Sequence, residues 1–217
     1  MAEFRSASLA DQVFEKLEND IIQGVYSRGE ILTELSLAEH LGVSRTPIRE
    51  ALRRLEHENL IEDTGKGSVV LGISEENLID IMDIRTYIEP LASYYAALNR
   101  SEEEIKNLSH IMDLQDFYFS KHDAEHLRQE DDDFHDAICQ ICRRTVIRDA
   151  LLPLHRKTRR YRKISMEDYR RQEESLKEHR AIYEAIVAGN ANLAAQLTAK
   201  HVERAKKNMM ERLNQNG

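Results

Sequence analysis

The chain has 217 residues, 41% hydrophobic and 32% charged, enough for two domains of soluble, well-solvated type. Its net charge of −8 argues against indiscriminate nucleic-acid binding, although a specific reader needs only a locally concentrated basic surface. No apolar run approaches the ~20 residues that span a bilayer. Residues 1–5 lack a secretory signal pattern and there are only 2 cysteines, so the expectation is a cytoplasmic protein without membrane partners or structural disulfides.

In chain order, the first predicted helix runs from Leu9 to Gln23, behind Ser8 and Asp11 at capping-box spacing. A turn covers Gly24 to Gly29. Thr33 is placed to cap a short helix from Glu34 to Leu41. Gly42-Val43 turns the chain, and Ser44 is placed to cap the next helix, with Pro47 in its first turn. That helix carries Ile48, Ala51, Leu52 and Leu55 on one side and Arg45, Thr46, Arg49 and Arg53 on the other. Asn59 suits a left-handed helix end, and two short strands, residues 60–64 and 68–71, flank the Gly65-Lys66-Gly67 turn. This order predicts a winged helix-turn-helix over residues 1–73.

Beyond Ser74 the strand signals stop, and six amphipathic helices are predicted within residues 74–217, forming an all-α bundle. The first runs from Ser74 to Asn99 around Pro90. The second follows a Ser101–Glu104 capping box to Lys121, the third spans Asp123 to Cys142, and the fourth Thr145 to Lys163. Ser165 is read as the cap of the fifth, ending at Gly189, and Asn190 as the cap of the sixth, ending near Leu213. The fold class is mainly α.

The strongest signal lies between Leu35 and Glu56. A recognition helix reads bases with its N-terminal residues, where Arg45, Thr46 and Arg49 stand. Arginine reaches guanine O6 and N7 with two hydrogen bonds, whereas Ser44, Thr46 and the wing residue Lys66 suit phosphate contacts. The stretch Leu41-Gly-Val-Ser-Arg-Thr-Pro-Ile-Arg-Glu-Ala-Leu52, followed by Leu55-Glu56, closely resembles the GntR family of bacterial regulators. The resemblance implies a homodimer on a short inverted-repeat operator of double-stranded DNA, with Arg45, Thr46 and Arg49 at the bases and the Gly65–Gly67 wing at the minor groove. Leu35 stands where some members place a DNA-contacting arginine, and Asn59 where glycine is usual.

Asp131 and His135 lie four residues apart on one helix, and His179 and His201 fall on the fifth and sixth bundle helices. Facing helices can bring such side chains to one point, giving a first shell for a divalent transition metal: zinc foremost, nickel or manganese next. Asp131-Asp-Asp-Phe-His135, His179-Arg-Ala-Ile182 with Ala185-Ile186, and His201 resemble the motifs of GntR regulators with an FCD-type (FadR C-terminal) sensor domain. Six sensor helices are similar to the shorter, VanR-like arrangement. Residues 84–92 resemble the first sensor helix, which implies that Arg85 faces a cavity and pairs with a small carboxylate effector. The resemblance thus implies a metabolite-controlled transcriptional regulator, repression being the commoner behaviour. Arg143-Arg144 replaces the Gly-Asn that commonly ends the third sensor helix.

Two alternatives stand beside this reading. One is a constitutive DNA-binding protein with a purely structural metal. The other is a metal-dependent hydrolase, because His135-Asp136 matches the dipeptide of helical His-Asp phosphohydrolases; it lacks a general base beyond its ligands. Cys139 and Cys142 fall inside a helical pattern and are read as buried small hydrophobes. The basic run from Arg148 through Arg156, Lys157, Arg159, Arg160, Arg162 and Lys163 is open to several readings: a second nucleic-acid surface, a partner contact, cavity lining, or pairing with Glu102–Glu104 or Glu173-Glu174.

Overall fold

The computed structural model describes residues 8–165 and 168–216; residues 1–5, read above for a signal pattern, lie outside that range. Two compact units divide between Glu75 and Glu76. The first contains α1 (Leu9–Gln23), β1 (Ile31–Leu32), α2 (Glu34–Leu41), α3 (Arg45–His57), β2 (Ile61–Asp63) and β3 (Ser68–Val70). The Ser8–Asp11 capping box forms as expected, and Gly24 closes α1 in the left-handed region at φ 77°. Thr33 caps α2 by accepting from the Ser36 amide, and Gly42 ends that helix at φ 67°. Val13, Leu17 and Ile21 of α1 pack with Leu37, Ile48 and Leu55 over one core, which Leu60 and Val70 close from the sheet side. The two helices of the reading motif are thereby held at a fixed spacing by apolar burial.

Two details depart from the sequence reading. Ser44 takes the N-cap position of α3 at ψ 163° but makes no capping hydrogen bond. The reason is local: Pro47 occupies the third helical position and has no N–H to offer. The other departure is β1, which pairs antiparallel with β3 through Ile31–Val69 and Leu32–Ser68, so the sheet order is β1-β3-β2. Asn59 adopts φ 56°, as its place at the end of α3 required.

β1 explains Gly67. At φ 145° a Cβ on this residue would meet Ile31 Cγ2 at 2.7 Å and the Leu32 carbonyl oxygen at 2.9 Å. Gly67→Ala is therefore expected to lower stability by about 1–3 kcal/mol through backbone strain and crowding. A urea melt reads this directly, and an unchanged midpoint would mean that β1 yields without cost.

The second unit begins within α4 (Glu75–Asn99) and continues through α5 (Glu102–Ser120), α6 (Ala124–Ile141), α7 (Thr145–Ser165), α8 (Tyr169–Val187) and α9 (Ala191–Asn216). Prolines sit inside two of these helices, Pro90 in α4 and Pro153 in α7. Helix α7 runs on through Ser165, so Ser165 does not cap α8; Asp168 does, accepting from the Arg170 amide. Asn190 accepts from the Leu193 amide at 3.2 Å, capping α9. Arg143 takes the left-handed position after α6 at φ 52°, so the turn forms without glycine. Leu108, Met112, Phe134, Ile138, Leu151, Ile182 and Ile186 make the bundle core, joined by Cys139 and Cys142. Both thiols are free and buried, and burial pushes the Cys139 thiol far above its ordinary range.

Candidate functional site

In the first unit, Ser44, Arg45, Thr46 and Arg49 all lie exposed on one face of α3, and Lys66 is exposed at the wing tip. A groove of about 540 Å³ runs between them, lined by Arg45, Arg49, Arg53 and Lys66 on its basic side. Gly65 and Gly67 line it too, while Thr46 and Ser44 sit outside it. Three carboxylates, Glu34, Glu56 and Asp63, interrupt that positive surface. Leu35, where some relatives carry arginine, is 60% exposed at the same groove.

Glu34, the first residue of α2, holds both reading arginines. Its Oε1 accepts from Arg49 Nε at 2.7 Å, and its Oε2 from Arg49 Nη2 at 2.9 Å and Arg45 Nη2 at 2.8 Å. These bonds, Arg49's first and then Arg45's, draw the Glu34 carboxyl down to about 2.

In the second unit, α6, α8 and α9 bring His135, His179 and His201 together, all buried, with ligand atoms within 4.8 Å of one another. His135 Nε2 and His201 Nε2 are 3.3 Å apart. Asp131, one turn before His135, places Oδ1 3.6 Å from His179 Nε2 and Oδ2 4.0 Å from His135 Nε2. The structure thus gathers all four residues that the sequence singled out as ligands.

The outer nitrogens decide what the inner ones can do. His201 Nδ1 lies 2.7 Å from Glu178 Oε2. His179 Nδ1 lies 3.1 Å from Gln115 Oε1, whose amide is oriented by donation from Nε2 to the Glu130 carbonyl. His135 Nδ1 faces Glu89 Oε2 at 3.7 Å. His201 and His179 each have an acceptor within hydrogen-bonding distance of Nδ1, an arrangement that leaves Nε2 able to act as a metal donor. At 3.3 Å the His135 and His201 Nε2 atoms can share either a proton or a cation between them. Nitrogens bound tetrahedrally at ~2.05 Å sit about 3.3 Å apart, the spacing of the His135 and His201 Nε2 atoms, while the three histidines together lie within 4.8 Å.

Electrostatics supports the same arrangement. Burial carries His179 down to about 3, and burial together with the Arg162 charge puts His135 well below its ordinary range. Burial alone would raise Asp131, but Arg162 and the histidines hold it below the usual carboxylate range. Neutral imidazoles and an ionised carboxylate are the states that bind metal.

Beside the histidines lies a cavity of about 30 Å³, lined by Arg85, Arg162, Arg171 and Ser175 with Met82 and Met209. Arg85 does reach it, buried, while its Nε donates to Glu89 at 2.5 Å and its Nη1 to Thr158 at 3.0 Å. Arg162 binds Asp131 Oδ2 through Nε at 3.2 Å and Asp132 through Nη1, and its Nη2 is buried without a partner. Arg171 forks onto Glu178 at 3.1 and 3.0 Å. Arg159 faces Asp132 and Asp136 at 3.6 and 3.9 Å, so with Arg162 it pairs with acids of α6.

Sequence reading missed Glu89, Gln115, Glu178, Ser175 and Arg171. The signal was partly there: Arg171, Ser175, His179, Ile182 and Ile186 share one buried stripe of α8. Glu89 is one turn from Arg85, while the Gln115–His179 contact spans 64 residues and leaves no periodic trace.

Residues 9–70 match the profile of bacterial regulatory proteins of the gntR family, and residues 80–204 match the FCD domain. The chain is 29% identical over 225 residues to the Uxu operon regulator of Haemophilus influenzae, covering 92% of this chain and 81% of that protein. It is 32% identical over 132 residues to the gluconate operon transcriptional repressor of Bacillus subtilis, a match spanning 61% of this chain and 54% of the repressor. Among solved structures, Escherichia coli McbR/YncC has a similar fold, with a TM-score of 0.81 at 21% identity, covering 95% of this chain and 99% of that one. Among the described residues no helix is long and apolar enough to cross a membrane. The chain belongs to the gntR family of bacterial regulatory proteins, carries an FCD domain, and is a transcriptional regulator, not an enzyme.

Proposed function

We propose that the protein is a cytoplasmic, homodimeric repressor that releases or grips an inverted-repeat operator according to a small carboxylate bound beside a metal in the residue 74–217 domain. The observation that carries this reading is the convergence of His135, His179, His201 and Asp131 beside a cavity ringed by three buried arginines, with Asp131, His135 and His201 in its wall. Asp131, His135, His179 and His201 would hold the ion, zinc foremost, with nickel or manganese as the others its ligand types admit. When bound, it would supply Lewis-acid attraction for one carboxylate oxygen. Arg162 Nη2, a buried donor without a partner, would receive the other oxygen, and Arg85 would flank it. The cavity holds only about two water molecules, so any larger effector must displace side chains. That displacement is the differential interaction a ligand needs to shift a conformational equilibrium. In the residue 1–73 domain, Arg45, Thr46 and Arg49 would read bases while Ser44, Lys66 and the wing at Gly67 meet the backbone or minor groove.

The test uses the full-length, zinc-loaded protein in thermal-shift assays with acetate, lactate, citrate and gluconate; gluconate enters because one relative represses a gluconate operon. A carboxylate at a hundredfold excess over its Kd should stabilise wild type by about 2.7 kcal/mol. Arg162→Ala should lose that shift while retaining its zinc by elemental analysis. If no anion shifts wild type, the effector reading fails and a structural metal is favoured.

A further inference from the structure

The Glu34 carboxylate stands in the middle of a basic groove, where it opposes DNA affinity. Its placement is nonetheless fixed on every side. Glu34 opens α2, whose N-terminal dipole favours a carboxylate there, and Thr33 caps that turn. Leu37, one turn later, is 3% exposed and packs in the same core as Ile48 of α3. Arg45 and Arg49 are one turn apart on α3, so a single carboxylate on α2 spans both.

The bonding pattern leaves a particular edge of each arginine open. A guanidinium has five N–H groups on two usable edges. In both residues Nε and Nη2 face Glu34, Arg45 Nε at 3.1 Å completing the set. The terminal edge, with Nη1, stays available, and a guanine O6/N7 pair needs two N–H groups from such an edge. The arginine side chains are 60% and 51% exposed, so without an anchor they would sample many rotamers. One negative charge also offsets part of the pair's attraction for phosphate, which is the sequence-independent share of binding.

We propose that Glu34 is a positioning residue for DNA recognition: it presets Arg45 and Arg49 for a guanine-bearing duplex and trades non-specific affinity for sequence discrimination. This rests on the base-reading role given above to the two arginines.

The experiment selects binders from a duplex library of random sequence with full-length wild type, Glu34→Gln, Glu34→Asp and Arg49→Ala, after checking that each melts like wild type. Kd is then measured by fluorescence anisotropy for the wild-type-selected duplex and a shuffled version at fixed salt. In Glu34→Gln the shuffled-to-selected Kd ratio should fall at least tenfold, with the shuffled duplex bound as tightly as before or more tightly. Glu34→Asp, which keeps the charge on a shorter arm, should recover part of the ratio. An unchanged ratio in Glu34→Gln overturns the inference, and a raised ratio does so too, because it would make Glu34 a competitor of DNA. If wild type enriches no sequence, or the same one as Arg49→Ala, the base-reading role itself falls and takes this inference with it.

Discussion

Glu89→Ala is expected to destabilise the FCD unit by about 3–5 kcal/mol, the cost of leaving a buried charge without its partner. Glu89 is 3% exposed and serves several buried side chains at once. Oε1 accepts from Arg85 Nε at 2.5 Å and lies 3.1 Å from His155 Nε2, while Oε2 faces His135 Nδ1. His155 is itself buried and tied on its far side to Asp136 at 2.9 Å. Removing the carboxylate leaves the buried Arg85 guanidinium bonded to the neutral Thr158 hydroxyl but without its counter-ion, whereas Glu89→Gln keeps one acceptor and should cost less. Burial alone would raise the Glu89 carboxyl, but Arg85 and then His155 hold it well below the ordinary range. Its stabilisation is therefore fully present above the unfolded value of about 4.3 and lost as pH falls below it towards the folded value. The gap between wild type and Glu89→Ala, read by urea melts followed by circular dichroism, should narrow in acid. Equal midpoints at neutral pH would mean that Arg85 finds another partner.

His179→Ala should leave the protein unable to retain zinc after dialysis, while wild type keeps it stoichiometrically by elemental mass spectrometry. His179 is fully buried and supplies one of three converging nitrogens, so no water-exposed group can replace it. A companion substitution separates ligand loss from misfolding. Gln115→Leu removes the acceptor that fixes the His179 tautomer but leaves the imidazole in place. Such outer-shell changes cost about 10–100-fold in metal affinity, so Gln115→Leu should bind zinc weakly where His179→Ala does not bind it. Wild-type zinc affinity in His179→Ala would remove His179 from the ligand set and leave Asp131, His135 and His201 to be re-examined.

Much of this was legible before any coordinates. The winged reading motif and the bundle helices follow from hydrophobic period, caps and glycine placement, because local chemistry decides them. What escaped was decided by partners distant in sequence. A strand of two residues, Ile31–Leu32, has no alternation to detect and exists because β3 pairs with it. Ser44 looked like a cap, and only the missing amide of Pro47 explains why it is not one. The metal ligands could be picked out as His and Asp on helix faces. Glu178 and Gln115, which orient two of them, belong to pairings 23 and 64 residues apart. Arg162 was one cation in a basic run, and the sequence could not say which of them turned inward.

The interior prolines acquire a mechanical meaning beside this network. Pro90 directly follows Glu89, and Pro153 stands two residues before His155, in helices joined by the Glu89–His155 contact. Each proline deletes one rung of its helix's hydrogen-bond ladder, which lowers local bending stiffness. Both prolines therefore stand within two residues of the buried Glu89–His155 contact. A load applied at Arg85 reaches Glu89 first, and so arrives beside a residue that cannot donate to the helix ladder.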